Sequence, residues 1–462
     1  MPKLDIKDLK RAVPDLRIAW DDAARASAGS DHTENLSFPP EVVVWPMSTE
    51  QVSGVLRWAS KAGVHVTPAG ALTGLSGGAL PVRGGVAMNF SKMNRIVRID
   101  TVNHQVVVEP GVIVQHLQEA VAEHGLFYAV DPASRGSCTI GGNLAHNSGG
   151  PRAVKYGVTK DWVLNMEAVL ADGTVIQTGA NTLKNSTGYN LTQLLVGSEG
   201  TLAVITRATL KLLPLPGHTA LMVVPFADAA AACEAVTAIF KAGGQPSALE
   251  FMEREAVDLA REFLGLERTE QKFEAELMIE VDGVRSEELM PQVELIAGVV
   301  EAAGGGEILL ADDAAGQTEL WRVRRVIGEA VKAHSVYKEE DAVVPRGHLP
   351  ALLKRIKAIG HTYGFQSICY GHAGDGNLHI NILRKDLSDQ FWDEQLPQAI
   401  AELFEYVVEL GGTISGEHGI GWVQKQYLPI AVGTKERELM ASIREVFDPN
   451  SILNPDKILP KP

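Results

Sequence analysis

Two hydrophobic rhythms run along the chain. Glu41-Val-Val-Val-Trp-Pro46 is an apolar run of strand length. Ser48-Thr-Glu-Gln51 then has the spacing of a helix-capping box, and Val52, Val55, Leu56 and Ala59 recur at helical spacing until Gly63. Val64 to Pro68 predicts the next strand. Gly85–Asn89, Arg95–Asp100 and Gln105–Glu109 predict short β segments, and Ile113–His124 a helix. Further β runs continue through Leu212. Pro214-Leu-Pro-Gly217 then reads as a boundary. Beyond it lie a strand (Thr219–Phe226), an Ala-rich helix to Lys241, and strands at Ala248–Met252 and Ala275–Val281. A helix (Glu287–Ala303), a strand (Ile308–Ala311), a helix (Glu319–Ala330) and the strand Val336–Lys338 follow. The pattern predicts an α+β chain with domains at 1–217 and 218–462. The second would be one antiparallel sheet with helices on one face, a ferredoxin-like arrangement. No repeat of 20–50 residues and no low-complexity segment is present.

The densest chemistry lies near the C-terminus. Ser367–Tyr370 and Leu378–Leu383 read as the strands of a hairpin, with Ala-Gly-Asp-Gly-Asn between them. A period of two puts His379 and Asn381 on one face and Leu378, Ile380 and Ile382 on the other, toward a core. His372 ends the first strand, where the hairpin can bring His379 back to it. Downstream, Ser415-Gly-Glu-His-Gly-Ile-Gly421 adds Glu417 and His418. Two imidazoles and a carboxylate suit a divalent transition metal with positions left open for substrate, and His418 stands next to them as a base. The bland alternative is that these histidines are hydrogen-bonded core or loop residues.

Composition narrows the partners. The 462 residues are 45% hydrophobic and carry a net charge of −15. An acidic surface disfavours nucleic acid and anionic membranes. No apolar run is long enough to span a bilayer. The first ten residues lack the apolar stretch of a secretory signal. Cys138, Cys233 and Cys369 are far apart and form no Cys-x-x-Cys, which argues against a disulfide framework and a cluster held by this chain alone. The expectation is a cytoplasmic protein, with attachment at a membrane through a partner as the alternative.

Three glycine-rich stretches point to an extended ligand. Pro68 to Gly78 follows a strand and offers glycines plus Thr73 and Ser76, as a phosphate-cradling loop would. It lacks Gly-x-Gly-x-x-Gly and the Lys-Ser/Thr ending of a P-loop, so alone it reads equally well as a turn. Ser134 to Gly150 and Val196 to Thr206 add two further runs of small residues, and together they suit a dinucleotide.

With these motifs in this order, the chain resembles the FAD-linked D-2-hydroxy-acid dehydrogenases of the vanillyl-alcohol-oxidase superfamily. That group includes D-lactate dehydrogenase, the large subunit of glycolate oxidase and D-2-hydroxyglutarate dehydrogenase. The matching pieces are residues 68–78, 136–150, Thr187-Gly-Tyr-Asn190, Gly197–Leu202, Gly371–His379 and Gly416–Gly419. The resemblance spans about Pro39 to Pro460. It implies a PCMH-type FAD-binding domain and a C-terminal substrate and metal domain, with the last ~45 residues packing back near the flavin.

By position, Pro68, Gly70, Ala71, Leu72, Thr73, Gly74, Leu75 and Ser76 would meet the FAD, several of them at its pyrophosphate. Pro132, Gly136, Ser137, Gly141, Gly142, Asn143, Ala145 and Gly150 would line the rest, with Glu199, Gly200 and Ile205 at the far end. His372, His379 and Glu417 would hold one divalent metal, zinc or manganese first and iron as the alternative. His418 would be the catalytic base. Arg324 and Lys338 would grip the substrate carboxylate, joined by Asn381 on the face of His379.

The implied reaction is oxidation of a D-2-hydroxy acid, D-lactate first, to the 2-oxo acid. Glycolate and D-2-hydroxyglutarate are the alternative substrates. Quinone, a cytochrome or an electron-transfer flavoprotein would take the electrons, and a homodimer is compatible. A non-catalytic flavin-binding subunit of a larger oxidase and a flavin-free metal hydrolase are the readings from other classes. Three departures from the family pattern stand out. Ala71-Leu72 stands where adjacent glycines are usual. Gly328 stands where the hydroxyglutarate enzymes carry Thr. No His or Cys occupies the position of covalent flavin attachment, so FAD would be non-covalent.

Overall fold

The computed structural model describes residues 4–34, 36–269 and 271–460. The outer limits of the two expected domains, residues 1 and 462, lie outside that range. The chain divides into two compact units. The first comprises Met1–Gly149, Gly157–Pro214 and Glu417–Pro462; the second comprises Gly150–Tyr156 and Leu215–Gly416.

In the first unit, β1 (Arg17–Ala19), β2 (Val42–Trp45), β3 (Val66–Ala69) and β4 (Val86–Asn89) form a sheet in the order β1-β2-β4-β3. β2, β4 and β3 run parallel, with β1 antiparallel at the edge. Helix α1 (Thr49–Ala62) covers this sheet. Its capping box is shifted by one residue. Ser48 accepts from the Gln51 amide at 3.3 Å, but the Gln51 side chain accepts from Met47, at 2.8 Å, and not from Ser48. Gly63, at φ +64°, stops the helix. Val52, Val55, Leu56 and Ala59 are fully buried against Val42, Val44, Val66 and Met88. Burial contributes roughly 1.5–3 kcal/mol for each large aliphatic side chain. A second sheet is antiparallel throughout, with β5 (Ile96–Asp100), β6 (Gln105–Val108), β7 (Val163–Val169), β8 (Val175–Gln177) and β9 (Val204–Lys211) in the order β5-β6-β9-β7-β8. The short helix α2 (Ile140–His146) belongs to the same unit.

The second unit is built on seven antiparallel strands: β10 (His218–Phe226), β11 (Ala248–Glu253), β12 (Ala275–Gly283), β13 (Leu309–Ala311), β14 (Tyr337–Val343), β15 (Gln366–Gly371) and β16 (Asn377–Leu383). Their order is β13-β10-β12-β11-β15-β16-β14. Helices α3 (Ala229–Lys241), α5 (Leu289–Ala302), α8 (Leu349–Tyr363) and α9 (Leu396–Glu409) pack on one face. The other face is not bare, which corrects the expectation of helices on one side only. Helices α4 (Arg254–Phe263), α6 (Ala314–Arg325) and α7 (Ile327–His334) cover part of it, enclosing Leu221, Val223, Met252, Met278, Ile368 and Tyr370. The expected helix Glu319–Ala330 is two helices, broken at Val326, whose ψ of −2° leaves the helical range. Arg324 therefore ends one helix and Gly328 begins another.

Candidate active site

The hairpin β15–β16 builds the polar end of that second face. Tyr370 pairs with His379 and Ile368 with Asn381 across the strands. Leu378, Ile380 and Ile382 turn the opposite way and are at most 1% exposed. The connecting turn needs glycine. Gly376 sits at φ +80°, and a Cβ there would lie 1.9 Å from the Val344 carbonyl. This tight return sets the His372 and His379 rings 5.3 Å apart and nearly perpendicular, at 85°. Both are buried, at 6% and 5% exposure.

Carboxylates stand behind both rings. His372 donates from Nδ1 to Glu250 on β11, at 2.8 and 3.0 Å from its two oxygens. His379 Nδ1 lies 3.6 Å from Asp341 and 3.7 Å from Glu339, both on β14. Backing Nδ1 of His372 in this way leaves its Nε2 as the outward ligand atom, the arrangement found behind metal-binding histidines, while the carboxylates near His379 stand beyond hydrogen-bond distance. The donor set therefore fits a divalent ion.

Glu250 is fully buried. Burial opposes its charge, but its interactions with His372 and Arg324 outweigh it and hold the carboxyl below its usual range. Arg324 is likewise buried, 2.6 Å from Glu250, with its guanidinium 5.0 Å over the Tyr370 ring. It is not on a solvated helix face. Its Nε–H has no hydrogen-bond partner among the described residues. Asn381 is fully buried on the face of His379.

Lys338, expected as the second carboxylate clamp, takes a different register position. It pairs with Ile382 and so belongs to the opposite face of the sheet, whereas Glu339, paired with Asn381, takes the facing position. The strand's period of two makes one residue of register decisive.

The boundary between the units runs through the Gly416–Glu417 peptide. In the second unit, the Gly416 amide donates to Asp341 Oδ2 at 2.8 Å, beside His379. In the first unit, Glu199 Oε1 and Oε2 accept from the amides of Ile420 and Gly421, each at 2.8 Å. Glu417 and His418 lie on the few residues between these two anchors. Burial raises the Glu199 carboxyl. Both its oxygens are occupied by the backbone that follows His418.

The other predicted residues concentrate in the first unit. Pro68 lies on β3, and Gly70 to Ser76 form the loop after it, with Leu72 left-handed at φ +60°. Pro132, Gly136 and Ser137 are in turns; Gly141, Gly142, Asn143 and Ala145 are on α2; Glu199 and Gly200 precede β9, which carries Ile205. The three glycine-rich stretches meet. A Cβ on Gly70 would fall 2.4 Å from Thr139 Oγ1, one on Gly78 2.8 Å from His146, and one on Gly200 2.5 Å from Pro68. Ser76 Oγ, Asn143 Nδ2 and His146 Nδ1 are buried there without partners among the described residues. Buried orphan polar atoms among bare backbone fit a polar, phosphate-bearing ligand. Gly150, at φ +135°, instead opens the short segment that belongs to the second unit.

Residues 40–179 match the FAD binding domain family, and residues 215–458 match the family of FAD linked oxidases, C-terminal domain. The chain belongs to the FAD-linked oxidases. D-lactate dehydrogenase of Anaerostipes hadrus is 39% identical over 91% of this chain and 89% of its own length. Glycolate oxidase subunit GlcD of Bacillus subtilis is 37% identical, covering 95% and 93%. D-2-hydroxyglutarate dehydrogenase of Stutzerimonas stutzeri is 33% identical, covering 98% of each. Among solved structures, p-cresol methylhydroxylase superposes with a TM-score of 0.81 at 18% identity, over 98% of this chain and 95% of that one. A 4-ethylphenol oxidase from Gulosibacter chungangensis gives 0.75 at 20%, over 99% and 97%. These structural likenesses establish the vanillyl-alcohol-oxidase-type fold. This FAD-linked oxidase is thus an oxidoreductase with an FAD-binding domain.

Glu250, Glu339 and Asp341 escaped the sequence reading. Glu250 had a signal, a lone carboxylate inside the apolar run Ala248-Leu-Glu-Phe-Met252. Such a group stays charged in a core only with partners.

Proposed function

We propose that this FAD-linked oxidase converts a D-2-hydroxy monocarboxylic acid, D-lactate first, to the 2-oxo acid. The observation that carries the reading is the buried array of His372, Glu250 and Arg324, which sets an imidazole with Nε2 unengaged by Glu250 beside a cation of the kind that binds carboxylates. The names of three relatives supply the substrate class. Bound FAD supplies the acceptor for the hydrogen on C2. A divalent ion, zinc or manganese first and iron as the alternative, would be held by His372, His379 and Glu417 and supplies Lewis-acid polarisation of the hydroxyl. His418 takes the hydroxyl proton as general base. Arg324 binds the carboxylate, and Asn381 hydrogen-bonds the substrate.

Lys338 has no part in this reading. Glu250, Glu339 and Asp341 stand beside the two imidazoles, with Arg324 on Glu250. A second substrate carboxylate would meet like charge, which favours lactate or glycolate over 2-hydroxyglutarate. Stopped-flow mixing with a panel of D- and L-hydroxy acids tests this through bleaching of the flavin band. D-lactate should bleach it fastest. Bleaching by L-acids alone, or by D-2-hydroxyglutarate in strong preference, overturns the proposal.

A further inference from the structure

The loop after β3 is gripped along one edge by the C-terminal tail. Ser76 O accepts from the amides of Trp422 and Val423 at 2.8 and 3.2 Å. Gly78 O accepts from Asn454 Nδ2 at 2.8 Å, and Leu80 O from Lys457 Nζ at 2.5 Å. These three alternate carbonyls are held by three points of the tail. Asn454 Nδ2 also donates to Glu199 O at 2.7 Å, and its Oδ1 accepts from Lys457 at 3.1 Å. The tail is tied to β3 itself, because Val66 donates to Ile452 O and Asn454 donates to Val66 O, both at 2.8 Å. Gly421 packs so closely that a Cβ would lie 2.2 Å from Ser76 O. On the other side, Thr33 Oγ1 accepts from the Gly77 amide at 2.7 Å. With carbonyls 76, 78 and 80 fixed, the Gly70 to Leu75 part of the loop is left to present its amides.

Lys457 is the odd member of this set. It is 0% exposed, and burial pushes its ammonium down to about 7 even with Glu199 and Asp31 nearby. A fully buried lysine with no part in the oxidation chemistry needs another reason to be there.

We infer that Lys457, with Asn454, is a positioning residue for the cofactor: the tail clasps the carbonyls of Ser76, Gly78 and Leu80 and so holds the glycine-rich loop in the shape that receives the FAD pyrophosphate. The inference rests on the assignment of that loop to the pyrophosphate. Lysine supplies a donor long enough to reach Leu80 from a tail strand pinned at β3. Methionine would fill the space without donating, and glutamine would restore a donor at the end of a shorter arm.

The test measures FAD affinity on the full chain, by titrating FAD into apoprotein and following flavin fluorescence. Lys457→Met should weaken the dissociation constant about 10–100-fold, and Lys457→Gln should recover part of that loss. Far-UV circular dichroism should be unchanged, while hydrogen exchange should quicken in residues 70–82 only. Gly74→Asp is the companion variant. Among the described residues a Cβ at Gly74 meets only His146, at 3.8 Å, so a side chain can start there and bring a carboxylate against the anion. Both variants weakening FAD supports the inference. Loss in Gly74→Asp with Lys457→Met within twofold of wild type overturns the clasp and leaves the loop assignment standing. Unchanged affinity in Gly74→Asp overturns the loop assignment and the clasp with it. Should Lys457→Met fail to fold, Asn454→Ser serves in its place with the same expected loss.

Discussion

Glu250 sets which nitrogen of His372 faces outward. It fixes the Nδ1–H tautomer and shares its other oxygen with Arg324. Glu250→Gln keeps the shape and removes the charge. Metal affinity should fall about 10–100-fold, read by titrating zinc or manganese into metal-free protein. Unchanged affinity would mean that His372 is not a ligand. His418→Ala should lower turnover about 10²–10⁴-fold while FAD and metal content stay at wild-type levels. Turnover near wild type would remove His418 as the base. Glu339 tests the substrate reading. Its carboxylate lies 3.7 Å from His379. Glu339→Gln should raise kcat/KM for a dicarboxylic 2-hydroxy acid relative to D-lactate, by about tenfold if like-charge repulsion is the barrier. A ratio that does not move would place the discrimination elsewhere.

At the scale of elements, what the sequence makes legible follows how cleanly each segment keeps its period. The β15–β16 hairpin was readable because Leu378, Ile380 and Ile382 alternate strictly with His379 and Asn381 around a glycine turn. Helix α1 was readable from its cap and its Gly63 stop. The strand β14 was readable only at its start, Val336–Lys338, and not over Glu339–Val343. Tyr337-Lys-Glu-Glu-Asp341 is a run of charge, and its Glu340 is buried against all compositional expectation. Without an apolar alternation to fix the phase, the sequence does not say which face Lys338 takes, and its role came from the resemblance alone. The break at Val326 was equally hidden, since Arg322, Arg324 and Arg325 are good helix formers up to the break. The hairpin turn carries a prediction of its own. Gly376→Ala puts a side chain at φ +80° and into the Val344 carbonyl. It should destabilise the protein by more than the roughly 1–3 kcal/mol of left-handed strain alone and should lower metal binding more than FAD binding. Equal loss of both, or of neither, would show that the turn does not set the histidine pair.

At the scale of the molecule, the crossings of the chain between its units were not legible in composition. Residues 150–156 and 417–462 belong to units other than those of their sequence neighbours. Composition does not mark these crossings, because they are fixed by particular contacts such as Arg152 on buried Glu280 and Asn454 on Gly78. Charge is the other whole-molecule property. The chain carries −15 overall and keeps several carboxylates in apolar surroundings, and these do not all respond to pH alike. Burial pushes Glu276 on β12 up to about 7, opposed by Arg261 and reinforced by Asp258. The folded protein therefore keeps a proton that the unfolded chain releases at ordinary carboxyl values. Between about pH 4.5 and 7 the folded state binds more protons, so this group's contribution to stability falls as pH rises and stays low above 7. Glu276→Gln removes the ionisation. It should melt close to wild type at pH 5 and a few degrees higher at pH 8, on the order of 1–3 kcal/mol in favour of the variant at the upper pH. Thermal melts of both proteins across that range check the sign. A wild-type advantage that grows with pH would show that the Glu276 carboxylate is stabilised in the fold and not merely buried.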